Sequence, residues 1–244
     1  MTKQFFVAML IILVSIFSIQ GQPSYEERLY LSFISGNMTD WVKVIDELER
    51  ELRHNSTDSQ RFKLLHAQYG YIGYLLGIKQ VDKAKRFITS AEANAQQLEN
   101  STSFSSTVKA IKSALIAYRI SISPYKAPFL GPESMNLINE ALEIDPNNFF
   151  AIIEKANARH YAPSIVGGNP SEAIGLYEKA LKLIRESNNG TPPKTWWYIN
   201  TYTQMGLAAQ KAGNTEKAKT IYLEILKYEP QYLWVKNELL PEIS

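Results

Sequence analysis

The chain has 244 residues, 45% hydrophobic and 20% charged, a globular composition with room for one domain or two small ones. Lysine and arginine number 26 against 24 aspartates and glutamates, a net charge of +2 that is too balanced to select nucleic acid or an anionic membrane as the main partner. Cysteine is absent, which excludes disulfides, a cysteine nucleophile, thiolate zinc sites and a lipid-modified cysteine anchor. The histidines are His54, His66 and His160, without the spacing of a zinc protease. Neither glycine-rich phosphate loop of nucleotide enzymes is present, so no metal, cofactor or catalytic residue is expected.

Met1 to Gln20 reads as an export signal. Lys3 is the only charge before Glu26, Phe5 to Ile19 is an unbroken run of apolar and small residues, and Gln20-Gly21-Gln22-Pro23 breaks it. The expected division is a signal peptide over 1–21 and one domain over 22–244, with cleavage after Gly21. The run is short for a spanning helix, which needs roughly 20 residues, and an uncleaved anchor is the alternative. Either way the remainder is exported. Sequons stand at Asn37, Asn55, Asn100 and Asn189. Export without cysteine points to a bacterial periplasmic or secreted protein, where such sequons carry no meaning.

From about Tyr25 onward the pattern is helix and turn. Trp41, Val44, Ile45, Leu48 and Leu52 form one helical stripe. Leu64, Leu65, Tyr71, Ile72, Leu75 and Leu76 form a second, and Val108, Ile111, Leu115, Ile116 and Tyr118 a third. Turn signals follow at Ser35-Gly36-Asn37, Gly77, Asn100-Ser101, Ser123-Pro124, Asp145-Pro146, Gly167-Gly168-Asn169-Pro170, Asn188-Asn189-Gly190, Gly213-Asn214 and Glu229-Pro230. About nine or ten helices, paired by short turns, are predicted.

A repeat runs through them. In the last unit, Ile199 to Pro230, Tyr202, Met205, Gly206 and Ala209 share one helix face, and Ala218, Tyr222 and Ile225 share the next. The second-helix spacing recurs as Ala173/Tyr177/Ala180, Ser134/Ile138/Ala141, Ala84/Ile88/Ala91 and, more faintly, Trp41/Ile45/Leu48. This unit resembles the tetratricopeptide repeat, a helix-turn-helix with small residues where its helices touch. The resemblance implies an all-α, right-handed solenoid of about five hairpins. It places Gly206 opposite Ala218 and sends Tyr222 into the following unit.

The string around His160 to Leu181 is also similar to exported tetratricopeptide-type proteins of Bacteroidetes. More distantly it resembles the tetratricopeptide-like subunit associated with TRAP-type transporters, whose members are typically lipoproteins. In that set a tyrosine-x-proline segment and a glycine pair join two helices, as Tyr161, Pro163, Gly167 and Gly168 do here. What these resemblances imply is a non-enzymatic periplasmic scaffold for a protein or peptide partner. The alternative is a solute-uptake component that binds a small ligand or docks a substrate-binding protein.

The first helix of each hairpin is then expected to line a concave groove. Tyr69 lies off the stripe of its helix and is expected to face that groove, while Tyr71 and Tyr74 share the core face. Of Trp196 and Trp197, one is expected in the core and one outside. Lys155 and Arg159 are four residues apart on one helical face, with His160 beside them. Tyr69, Lys155, Arg159 and His160 are therefore the expected recognition residues, suited to an anionic group. The glycine pair is expected to shape a loop.

Overall fold

The structure, a computed structural model, describes residues 23–243. The expected export segment and its expected cleavage point at Gly21 lie outside the described residues. Ten α-helices follow in order: α1 (Tyr25–Ser35), α2 (Met38–His54), α3 (Asp58–Gly77), α4 (Val81–Gln97), α5 (Ser105–Ile122), α6 (Ala127–Ile144), α7 (Phe149–Tyr161), α8 (Pro170–Ser187), α9 (Trp196–Lys211) and α10 (Thr215–Tyr228). No strand occurs among the described residues. No described helix is long and apolar enough to cross a membrane.

Local chemistry sets the helix ends. Thr57 and Gln60 form a reciprocal capping box at the start of α3. Asn148, Asn169 and Asn214 each accept a backbone N–H at the starts of α7, α8 and α10, and Pro170 opens α8 where its missing N–H costs nothing. α1 ends on Gly36 in the left-handed conformation.

The helices pack as five consecutive hairpins, α1/α2 through α9/α10. All five copies of the second-helix signature are buried, from Trp41/Ile45/Leu48 on α2 to Ala218/Tyr222/Ile225 on α10. The fold is an all-α solenoid of the tetratricopeptide kind. Gly206 faces Tyr222 of its own hairpin: the ring fills the space that a side chain at 206 would need, and its hydroxyl donates to Gln210 at 2.9 Å.

The first helices α3, α5, α7 and α9 run parallel. Near their starts Phe62 stacks on Phe104, Asn148 Nδ2 donates to Thr107, and Phe149 stacks on Trp197. At the far ends of α7 and α9, Lys211 Nζ donates to the His160 carbonyl. All the turns inside these hairpins consequently lie along one edge of the solenoid, and the turns between hairpins along the other.

The expected open groove is filled. In a regular open solenoid a hairpin touches only its neighbours. Here His66 of α3 lies 5.2 Å from the Phe150 ring of α7 and 4.8 Å from the Trp196 ring of α9. α1 packs on α9, Trp41 meets Trp196 edge to face at 5.2 Å, and Tyr30 Oη donates to Glu229 at 2.6 Å. Gly70 permits this closure, since a Cβ there would stand 2.7 Å from Trp41 and 2.8 Å from Trp196. Tyr69 is accordingly buried, and it is Tyr74 that is exposed. Trp196 is in the core as one of the pair should be, and Trp197 is half-buried against Phe149 rather than outside.

Candidate functional site

The filled interior centres on Glu154. Its Oε1 accepts from Tyr69 Oη at 2.6 Å and its Oε2 from Asn157 Nδ2 at 3.1 Å. Asn157 in turn accepts from Tyr177 Oη at 2.7 Å. Tyr118 stacks on Tyr69 at 5.9 Å. Burial raises the Glu154 carboxyl to about 7, and the Tyr69 and Asn157 donors oppose the rise. Burial also pushes the Tyr69 phenol well up, with the Glu154 charge adding to it. This network joins α3, α7 and α8; Tyr69, Glu154 and Tyr177 in it are buried, and Asn157 is half-buried.

Each expected recognition residue now has a place. Tyr69 is spent on Glu154. His160 is 3% exposed, and burial first, then the Lys211 ammonium, lower it to about 4, so the ring is neutral at neutral pH. Its Nδ1 lies 3.5 Å from Tyr177 Oη. Arg159 donates to Glu172 at 3.2 Å and to the Gly167 carbonyl at 2.7 Å, fastening the loop between α7 and α8. Lys155 is half-buried and has no hydrogen bond or ion pair among the described residues. The structure therefore does not gather the four into one anion grip: two are core, one is a loop fastener and one is free.

The loop itself is built as the glycine pair implies. Gly167 has φ +91°, and a Cβ on Gly168 would stand 1.9 Å from the Ala162 carbonyl oxygen.

Beside this loop the surface opens. His160, Tyr161, Leu207, Gln210, Lys211 and Glu242 line an open depression of about 410 Å³. Tyr161 is 59% exposed and donates to Gln204 at 2.5 Å. A second open depression, about 350 Å³, lies between α1, α2 and α3 at Tyr25, Glu47, Arg50, Glu51 and His54. Gln204, Gln210 and Lys211 were not legible as site residues, because they reach Tyr161 only once α9 is laid along α7. A face of mixed polar and aromatic side chains, wet and shallow, can hold a chain segment by hydrogen bonds and ring contacts. It presents no nucleophile paired with a base. Among the described residues no cluster of histidine and carboxylate side chains is placed to hold a metal.

Comparison with known proteins bears on the fold. A family model described as tetratricopeptide repeat matches residues 199–232. No curated protein matches the chain in sequence. Among solved structures, the HusA haemophore from Porphyromonas gingivalis is similar at 18% identity and a TM-score of 0.59, covering 78% of this chain and 96% of its own. A thermophilic tetratricopeptide-repeat protein of Thermus thermophilus is similar at 13% identity and a TM-score of 0.58, covering 90% of this chain and 98% of its own.

Proposed function

We infer a binding role from the fold, since residues 199–232 match a tetratricopeptide repeat and the chain has the fold of tetratricopeptide-repeat proteins. That fold is typically a non-enzymatic scaffold for protein partners. We propose that this protein is exported to a bacterial periplasm and binds a protein or peptide, without catalysis, at the depression around Tyr161. One observation carries the reading. Tyr161 is an aromatic side chain left 59% exposed on a helix whose other inward residues are buried, and it is flanked by Gln210 and Lys211 in an open, polar surface. An open surface of this kind suits an extended chain, whereas a small solute is ordinarily enclosed.

A second reading is solute uptake. It draws on the structural neighbour named a haemophore. The test separates the two. Immobilised wild-type protein and the Tyr161→Ala variant are exposed to envelope extract, and both are titrated with haemin. The proposal expects a specific protein retained by the wild type and lost by the variant at unchanged melting temperature. A companion variant, Lys155→Ala with Arg159→Ala, measures the share of the basic face. Equal capture by Tyr161→Ala would place recognition elsewhere, and saturable haemin binding with no protein partner would favour uptake.

A further inference from the structure

Among the described residues, six of the twelve large exposed apolar side chains stand at three turns. Ile78 and Val81 stand at the α3–α4 turn, Tyr125 and Phe129 at the α5–α6 turn, Ile165 and Val166 at the α7–α8 turn. These are three successive hairpins, and the parallel course of their first helices brings the three turns to one edge. The tips protrude: Ile165 is 92% exposed, Phe129 80% and Tyr125 76%. Single exposed apolar residues are ordinary, but a contiguous row of them marks an interaction surface.

The same edge is basic. Across residues 77–85, 122–130 and 159–172 the cations are Lys79, Lys83, Lys85, Lys126 and Arg159, and the anions are Asp82 and Glu172. Both anions are already paired, with Lys85 and Arg159. Lys83 donates to the Tyr71 hydroxyl, and among the described residues neither Lys79 nor Lys126 has a carboxylate partner. The opposite edge is more acidic. Its first three turns, over residues 54–58, 97–105 and 143–149, hold Asp58, Glu99, Glu143 and Asp145 with no lysine or arginine, although Glu99 is paired with Lys112 and the last turn, before α9, carries Lys194. The net charge of +2 thus conceals a molecule with a basic edge and an acidic one.

Lys79 follows α3 with φ +60°, a left-handed position where glycine is the unstrained choice, because the helix stops there with the Lys79 and Gln80 N–H groups donating back to the Leu76 and Leu75 carbonyls. Its side chain is exposed, and no hydrogen bond or ion pair among the described residues holds it, so it remains a free cation on this edge.

We propose that this edge seats on an anionic lipid bilayer. Phe129, Ile165 and Val166 enter the boundary between headgroups and acyl chains, and Lys79, Lys83 and Lys126 lie at headgroup level. A bilayer is favoured over a protein because protruding tips need no matching concave surface in a fluid interface, whereas a protein partner must supply one. Lysine stems also reach back to the headgroups while neighbouring apolar side chains go deeper. The acidic edge faces away, so only one orientation is electrostatically favoured.

The test is sedimentation with vesicles of phosphatidylcholine alone or of equal parts phosphatidylcholine and phosphatidylglycerol. The chain used starts at Gln22, so that the apolar run before it contributes nothing. Both large core clusters close within residues 29–239, so this chain retains the whole folding unit. Binding is expected to phosphatidylglycerol vesicles only and to weaken with added salt. Phe129→Ser with Ile165→Ser should abolish it. Lys79→Gly with Lys126→Gln should weaken it about 25-fold, at about fivefold per lysine. Lys79→Gly alone should raise the melting temperature while weakening binding, which a purely structural lysine would not do. Ile144→Ser, on the acidic edge, should change nothing. Failure to bind anionic vesicles, equal binding to neutral ones, or indifference to the Phe129 and Ile165 changes would overturn the proposal. So would a dimer in solution that these two changes disperse, since the edge would then be a contact between copies.

Discussion

The Tyr222 ring lies over Gly206, with Cε1 2.3 Å from where a Cβ at 206 would stand. Each is needed for the other: the missing side chain lets the two helices of the last hairpin close, and the ring fills the gap. Gly206→Ala must push the ring off its place. Overpacking of this kind costs about 1–3 kcal/mol. A thermal melt should show a fall of several degrees, and an unchanged midpoint would mean the register of α9 on α10 is wrong.

Closure of the solenoid gives a second expectation. Tyr30 of α1 donates to a Glu229 carboxylate that is 6% exposed and is also reached by Lys194 at 3.4 Å and by the Gln231 N–H at 3.3 Å. Tyr30→Phe removes the buried donor and should cost about 1–3 kcal/mol. Denaturant unfolding followed at the tryptophans should shift its midpoint accordingly. No shift would indicate that the first and last hairpins do not support each other.

The buried titratable groups act in opposite directions. Glu154 has its folded value raised to about 7, so the folded state holds the proton more tightly and the resulting stabilisation is lost as pH rises toward 7. Burial lowers His66 to about 3, and burial with Lys211 nearby lowers His160 to about 4. Their stabilisation is complete above the ordinary histidine value of 6.5 and is lost as pH falls through the folded values. Glu154→Gln removes the first dependence and leaves the second. The melting temperature of Glu154→Gln relative to wild type should therefore be higher at pH 8 than at pH 5. A difference independent of pH would contradict the burial of an ionisable Glu154.

Arg159 and Lys155 separate a loop fastener from a free cation. Arg159→Ala frees the Gly167 carbonyl and Glu172, and amide hydrogen exchange across residues 164–169 should quicken. Lys155→Ala should leave exchange there unchanged and stability within about 0.5 kcal/mol. Matching behaviour of the two variants would refute the separate roles.

The hairpins were legible because burial of each second helix follows a local spacing. Ala173, Tyr177 and Ala180 must all reach the same neighbours, and the pattern repeats wherever that demand repeats. Ser123-Pro124 and the glycine pair marked loops for equally local reasons. The filled interior was not legible. Tyr69 looked exposed because it stood off the stripe of α3, yet α3 is covered on nearly every side, and even His66 and Gln68 on it are buried. The contacts of His66 with Phe150 and Trp196 cross hairpins that are distant in sequence and leave no periodic trace. The basic edge was hidden in the same way, since it forms only when three separate turns are laid side by side.

The central claim is that recognition takes place at the turn edge and the Tyr161 depression beside it, not in a concave groove. The most direct measurement places a photo-crosslinking residue, one position at a time, at Tyr161, Ile165, Ile144 and Leu223 in cells producing the protein. Ile144 and Leu223 are exposed but lie on the acidic edge and on α10. Adducts should form at Tyr161 and Ile165, to protein or lipid, and not at the other two. Adducts at Ile144 or Leu223 with none at Tyr161 and Ile165 would contradict the claim.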